Sequence, residues 1–447
     1  MNLENLHSVY FIGIGGIGMS ALARYFNLRG AEVFGYDKTE TNLTKTLVSE
    51  GMKIHYREDL ESIPGHVDLV VYTPAIPDCH KELKYFQTAG YPVKKRAEVL
   101  GIISRNLKTI AVAGTHGKTT SSSIIAHVLR SGGIDCTAFL GGIAQNFNSN
   151  FVWGKDNWAV IEADEYDRSF LHLTPEISIV LSMDADHLDI YGEHEALKAT
   201  FTEFVSQTRT GGKVLVKSGL PLQCGSKEMF TFGIESGDFS ATNWSVKNGY
   251  STFDVKSPKN NMSEVRFAMA GKHNSENAMA AIAVAQLLGI EQINIKKALA
   301  SFKGIKRRFE RIYENEQVVY IDDYAHHPTE LIAAIDAARS LFPDRKITGI
   351  FQPHLYSRTQ DFVDGFATAL DNLDEILLMD IYPARELPIE GVSSKIIFDK
   401  MKNPNRSLVT KATLMQALKN RVLDVLLTLG AGDIDTFVKP IKSMLDE

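Results

Sequence analysis

The stretch KTIAVAGTHGKTTSSSIIAHVLR, residues 108–130, does most to narrow what this chain can fold into. A β-branched run enters a glycine-bearing loop, and the loop opens directly into a helical pattern. Strand, loop and helix in that order are the building unit of a parallel sheet, where a crossover helix must return the chain to the next strand. The same order recurs along the chain. HSVYFIGIGGIGMSALARYFNLRGAEVFGYDK gives strand, glycine loop, helix and second strand, and VDLVVYTPAIP is a further strand ending in a loop. VVYIDDY, KITGIFQ, EILLMDIY and DVLLTLGAG are strands with helical patterns between them. The expected class is α/β, with parallel sheets and helices on both faces. At 447 residues the chain is too long for one core. Its three strand-led segments predict domains at 1–105, 106–306 and 307–447.

The central loop departs from G-x-x-x-x-G-K-[ST], since the glycine before Gly117 is Gly114. Gly114, Thr115, His116 and Gly117 still reach a helix start, where backbone N–H groups can cradle phosphate oxygens. Lys118 can reach the outer phosphates of a nucleotide and the Thr119 hydroxyl can hold magnesium, with Thr120 and the serines continuing as helix caps. In an open parallel sheet ligands sit beyond the carboxyl ends of the strands, so neighbouring strands should end near this loop. NWAVIEADEYD ends at Glu162 with Asp164 and Glu165 following, and EISIVLSMDADHLD ends at Asp184, Asp186 and His187. Carboxylate oxygen and imidazole nitrogen suit magnesium or manganese beside ATP, and Glu162 and His187 are the expected ligands.

In the first segment, Gly13, Gly15 and Gly18 fit G-x-G-x-x-G, and Asp37 ends the second strand, where an acid can meet a ribose hydroxyl. Three readings remain open on these residues: an NAD site, a site for another nucleotide diphosphate, or a tight turn without a ligand. In the third segment, IDDYAHHPTEL places Asp322, Asp323, Tyr324, His326 and His327 at a strand-to-helix turn, and FQPHLYSRT places His354 and Arg358 at another. Arg358 can hold a carboxylate or phosphate bidentately. Arg308, in the KRRFE joint beside Gly304, is a candidate to move toward the nucleotide phosphates on closure.

Composition removes several classes. A formal net charge of −6 gives no electrostatic reason to expect nucleic acid or an anionic membrane. The 3 cysteines are scattered without C-x-x-C, which indicates neither a disulfide framework nor zinc and fits a reducing cytosol. The N-terminus runs into SVYFIGIGG without a signal-peptide pattern, and no apolar run approaches a membrane span.

Taken together, GTHGKTT, EADE, DADHLD, GKHNSENAMAA, DDYAHHPTE, FQPHLYSRT and LGAGDI resemble the Mur ligases of peptidoglycan synthesis, from about residue 8 to 435. The resemblance implies a Rossmann-like N-terminal domain binding a UDP-sugar, a central P-loop ATPase-like α/β domain, and a Rossmann-like C-terminal domain for the amino acid. It implies that Gly15, Gly16 and Gly18 approach the UDP diphosphate, while Asp37, Thr73, Ala75 and Ile76 line the uridine side. Residues 114–120 would hold ATP with its magnesium, and His273, Asn274 and Asn277 would lie beside the adenine. Tyr324, His326 and Arg358 would meet the incoming amino acid, with His326 a candidate base. The implied reaction is ATP-driven ligation of L-alanine to the lactyl carboxylate of UDP-N-acetylmuramate through an acyl phosphate. The expected setting is the cytoplasm, as a monomer or weak homodimer.

Two positions depart from the family pattern. Leu355 stands where an arginine is expected. The place of a carbamylated lysine falls near Phe201 or Thr202, with Lys198 out of register, so no carbamyl group is expected. The rival readings are a ligase for another amino acid or a peptide, an NAD-dependent dehydrogenase resting on the first loop, and a nucleotide-regulated binding protein.

Overall fold

A computed structural model of the chain describes residues 3, 5–184, 191, 193–247, 249–384 and 386–446. They pack as two units. The first runs from the N-terminus to Trp244 and adds Phe253–Phe267 and Glu276–Lys303; the second takes Ser245–Thr252, Ala268–Ser275 and the chain from Gly304 onward.

The first unit opens with a five-stranded sheet in the order Lys53–His55, Glu32–Tyr36, Ser8–Ile12, Leu69–Tyr72, Val93–Lys95. Every pairing in it is parallel. SVYFI forms the middle strand because all five residues are buried, as a strand covered by helices on both faces requires. A ten-stranded sheet follows. Its parallel part runs Glu228–Ile234, Lys213–Lys217, Ile177–Val180, Lys108–Ala113, Trp158–Glu162, Thr137–Ala144. Ser149–Val152 closes one edge antiparallel, and Phe239–Lys247, Tyr250–Lys256 and Met262–Phe267 extend the other.

The two sheets share one core. The helix Ile17–Leu28 turns Tyr25 onto Phe139 and Phe151 of the second sheet, with ring centroids 5.6 and 6.3 Å apart. Buried Arg24 pairs with Glu50 at 2.8 Å and donates to Asn150, tying the same helix to the edge hairpin. A helix that buries apolar residues on one sheet and reaches a second fixes the first glycine loop relative to the central strands.

The second unit holds a six-stranded sheet in the order Glu310–Glu314, Val319–Asp323, Val425–Leu429, Ile347–Phe351, Glu375–Met379, Arg406–Val409. The first pair is antiparallel and the rest are parallel. Separate apolar clusters cover its two faces, one around Ile321, Leu331, Phe351 and Phe366, the other around Tyr320, Leu377, Leu426 and Ile441. Among the described residues no helix is long and apolar enough to cross a membrane.

Candidate active site

The strand Lys108–Ala113 delivers Gly114–Gly117 to the helix Lys118–Ser131. Gly117 caps that helix with φ +81°, a left-handed conformation that glycine adopts without strain. No side chain caps it. A Cβ there would also lie 2.6 Å from Asn277 Oδ1. The loop is pinned to the end of the neighbouring strand: Ser182 Oγ accepts from His116 N at 2.8 Å, and Asp184 N donates to Thr115 Oγ1 at 3.1 Å. Thr120 and Ser121 to Ser123 differ from the expectation that they act as caps. They are buried residues within the helix, whose cap is Gly117. Small side chains there let the helix lie close to the sheet.

Lys118 does not project freely. Its Nζ donates to Gly114 O at 2.8 Å and to both oxygens of Glu165, at 2.9 and 2.7 Å. Glu165 is wholly buried. Burial alone would lower the pKa of the lysine, but Glu165, Asp164 and Glu162 outweigh it and raise the value, so the ammonium stays charged. Thr119 Oγ1 donates to Glu162 Oε1 at 3.0 Å, and Gly141 N donates to the other oxygen at 2.8 Å. Burial pushes the Glu162 carboxyl upward, against the pull of Lys118 and Thr119. The expected pair of metal donors, Thr119 and Glu162, is therefore brought together; His187 lies outside the described residues. Among the described residues no three His, Cys, Asp or Glu side chains gather as a metal nest. A hydroxyl and a carboxylate are nevertheless hard oxygen donors that fit magnesium at a phosphate loop.

Asn277 accepts from Ser121 Oγ at 3.1 Å, which places this residue of the GKHNSENAMAA motif beside the loop. His273 and Asn274 begin the same helix, Lys272–Leu287, but belong to the second unit, where Asn274 Nδ2 donates to Ala270 O at 2.8 Å.

At the first glycine loop, Asp37 Oδ2 accepts from Gly15 N at 2.7 Å and Oδ1 accepts from Thr39 N at 3.1 Å. The acid thus braces the loop. Thr73 and Ile76 come to Gly13, whose added Cβ would lie 3.2 and 3.3 Å from them, while Ala75 is exposed. Gly16 caps the helix Ile17–Leu28 without a side-chain bond. Gly18 has a neighbour that sequence reasoning missed: a Cβ would fall 2.7 Å from Arg96 Nη1. A cavity of about 150 Å³ opens here, lined by Ile17, Gly18 and Arg96 on one side and Gly141, Glu162 and Asp164 on the other. The helix of the first loop and the acid beside the phosphate loop therefore share one cavity.

The second unit gathers the remaining candidates. Tyr324 and His326 have ring centroids 5.4 Å apart, His326 and His354 6.2 Å, and Arg358 Nη1 lies 3.5 Å from His354 Nδ1. His326 Nδ1 is 3.0 Å from Tyr324 O and 3.1 Å from Glu330 Oε2. The carbonyl can only accept, so Nδ1 carries the proton and Nε2 keeps the lone pair. Burial, aided by Arg358 and Arg308, lowers the His326 pKa to about 4, so the ring is neutral at physiological pH. Arg308 stands over the Tyr324 ring at 5.1 Å and 3.8 Å from Glu330. Leu355, at the expected arginine position, is buried with φ +72°, an uncommon value for a leucine. Phe201, near the expected lysine position, is buried against Phe170 at 5.3 Å, and Lys198 pairs with Glu195 at 2.7 Å.

Comparison with known proteins decides the family. Three family models cover the chain in order: "Mur ligase family, catalytic domain" over residues 8–108, "Mur ligase middle domain" over 112–285, and "Mur ligase, glutamate ligase domain" over 307–432. The UDP-N-acetylmuramate–L-alanine ligase of Flavobacterium psychrophilum is 51% identical over 451 residues, covering 100% of both chains. The chain belongs to the Mur ligase family. A solved UDP-N-acetylmuramate–alanine ligase of Thermotoga maritima is 29% identical, with a TM-score of 0.85 over 98% of this chain and 99% of that one. A MurF ligase from Thermotoga maritima, solved in complex with ADP, matches at 15% identity and TM-score 0.63 over 92% of this chain and 96% of that one, a likeness of fold.

Proposed function

We propose that this Mur ligase joins L-alanine to the lactyl carboxylate of UDP-N-acetylmuramate, converting ATP to ADP and phosphate, in peptidoglycan precursor synthesis. The observation that carries this reading is the shared cavity: Glu162, bonded to Thr119 of the phosphate loop, faces the helix of the first glycine loop across it. Two anionic substrates held at those two loops would meet there. The full-length similarity to ligases of this name supplies the choice of sugar and amino acid.

A lactyl carboxylate oxygen attacks the γ-phosphorus of ATP, the bond to the β-phosphate oxygen breaks, and ADP leaves. The amine of L-alanine then attacks the acyl carbon, and the tetrahedral adduct expels phosphate. The first step brings anions together. Lys118 would exchange Glu165 for the β- and γ-phosphates and offset that repulsion. Gly114 to Gly117 present backbone N–H groups to the nucleotide, and Asn277 flanks them toward the adenine. Thr119 and Glu162 would hold magnesium, which when bound neutralises phosphate charge. Gly15 and Gly16 approach the sugar's diphosphate, with Asp37 fixing their backbone. Tyr324 and Arg358 recognise the amino acid, and the His326 Nε2 lone pair can accept a hydrogen bond from its ammonium and position it. Arg308, over the Tyr324 ring, adds positive charge beside these amino-acid residues. On this reading the reaction runs in the cytoplasm, where ATP is available.

The test is phosphate release from magnesium-ATP with UDP-N-acetylmuramate and L-alanine, singly and together. Release only with both, and a product heavier by one alanyl residue, is expected. Release driven by the UDP-sugar and a different amino acid or peptide instead would replace alanine in this account.

A further inference from the structure

The first glycine motif has a feature that binding a diphosphate does not explain. Gly18 carries an ordinary φ, so no turn requires a glycine there; what excludes a side chain is the guanidinium of Arg96, 2.7 Å from where a Cβ would stand. Arg96 begins the helix Arg96–Asn106 at the end of the strand Val93–Lys95. It is aimed into the cavity shared with Glu162, and its Nη2 lies 3.6 Å from Asp164 Oδ2. The residue before it, Lys95, pairs with Asp167 at 3.1 Å. These two pairs fasten the strand–helix turn to the acidic loop after Glu162, so the guanidinium is held in a defined place.

The cavity has two kinds of wall. Ile17, Ala21, Leu100, Phe139 and Leu140 give an apolar side, and among the described residues Arg96 is its one cationic side chain, beside Glu162 and Asp164. Its volume of about 150 Å³ is several times the ~30 Å³ share of one water molecule. A small branched carboxylate fits this description: a methyl for the apolar wall and two oxygens for a planar guanidinium.

We propose that Arg96 is a specificity-determining residue that grips the lactyl carboxylate of the acceptor sugar and so orients it toward the phosphate loop. Asp164, 3.6 Å from Nη2, anchors one end of the guanidinium at the cavity wall and leaves its other N–H groups for a ligand. Glu162 and Asp164 repel an incoming carboxylate, and Arg96 is what makes its entry favourable. The inference rests on the nucleotide-sugar reading given above.

The test compares two ligands by calorimetric titration without ATP: UDP-N-acetylmuramate, and UDP-N-acetylglucosamine, which lacks the lactyl group. The wild type is expected to favour the first. Arg96→Ala should weaken UDP-N-acetylmuramate by about thirtyfold or more, the low end of the range for truncating one partner of a buried charge pair, and leave UDP-N-acetylglucosamine unchanged. Arg96→Lys, which keeps the charge and loses the fork, should fall between; it carries the test if the alanine variant does not fold. Equal loss for both ligands would assign Arg96 to the diphosphate or to structure and overturn the inference, as would no loss for either. Wild-type protein that binds both sugars alike also overturns it, while leaving nucleotide-sugar binding in place. Wild-type protein that binds neither sugar removes both readings.

Discussion

Lys118→Ala separates two roles that the ion pair with Glu165 combines. Lys118 Nζ makes two bonds to Glu165, at 2.9 and 2.7 Å, and one to Gly114 O at 2.8 Å. Glu165 is 0% exposed and the lysine side chain 14%. Removing the lysine leaves a buried carboxylate without this counter-charge, and water cannot replace it cheaply. Breaking a buried pair by deleting one partner costs about 3–5 kcal/mol. For a folding unit of this size that is roughly 6–20 °C in the midpoint of the transition that unfolds the central sheet. The assay is thermal unfolding without nucleotide of wild type, Lys118→Ala, and Lys118→Ala with Glu165→Gln. The double variant replaces the charge with a neutral amide, so most of the lost stability should return. Ligation should remain reduced by several orders of magnitude in both variants, because both lack the loop lysine that meets the transferring phosphoryl group. UDP-sugar binding should survive in both. A single variant as stable as wild type, or a double variant no more stable than the single, would refute the assignment of Lys118 as the counter-charge of Glu165. Loss of UDP-sugar binding in a folded variant would contradict the separation of the two loops.

Other perturbations test other parts. Asp323, half-buried at the end of its strand, has its pKa raised to about 7 by desolvation and Glu330, against the pull of Arg308 and of the Ala325 and Phe309 N–H groups. The folded state then holds a proton that the unfolded chain releases near pH 4, so stability present at low pH is lost as pH rises from about 4 through about 7. Asp323→Asn should remove that decline from the pH profile of the unfolding midpoint; an unchanged profile would place the titration elsewhere. Gly141→Ala would drive a Cβ into the Glu162 carboxylate. Turnover should fall and its magnesium requirement rise, read from rates at graded magnesium, while an unaltered requirement would argue against Glu162 as a ligand.

Much of the fold could be read from sequence because parallel strands buried on both faces leave near-continuous apolar runs. SVYFI, TIAVA and VLLTL announce themselves in this way. The loops were legible for a related reason: Gly114, Gly117, Lys118 and Thr119 are contiguous, and their chemistry depends on a local turn. Contacts between distant segments left no such mark. Glu165 follows Glu162 by three residues and reads as another loop acid, yet it is the partner of Lys118, because the turn after Trp158–Glu162 sends it inward. Arg96 lies in the basic run KKRAE, which reads equally well as a solvated helix start. Only the packing of the helix Ile17–Leu28 on the central sheet turns it into a wall of the cavity. Gly141 sits in FLGGIA without any local signal; its importance comes from a carboxylate 21 residues onward in sequence. Asp37 was legible as a strand-end acid, but its bond to Gly15 N shows that it braces the loop.

The central claim is that the phosphate gripped by the loop at Gly114–Thr119 activates the sugar's carboxylate. The most direct test is transfer of isotope. UDP-N-acetylmuramate labelled with 18O in both lactyl carboxylate oxygens is incubated with the protein, magnesium-ATP and L-alanine, and the released phosphate is weighed by mass spectrometry. Attack of the carboxylate on phosphorus followed by cleavage of the acyl carbon–oxygen bond predicts one 18O atom in each phosphate, with the other kept in the amide product. Unlabelled phosphate formed alongside the alanyl product would contradict the account.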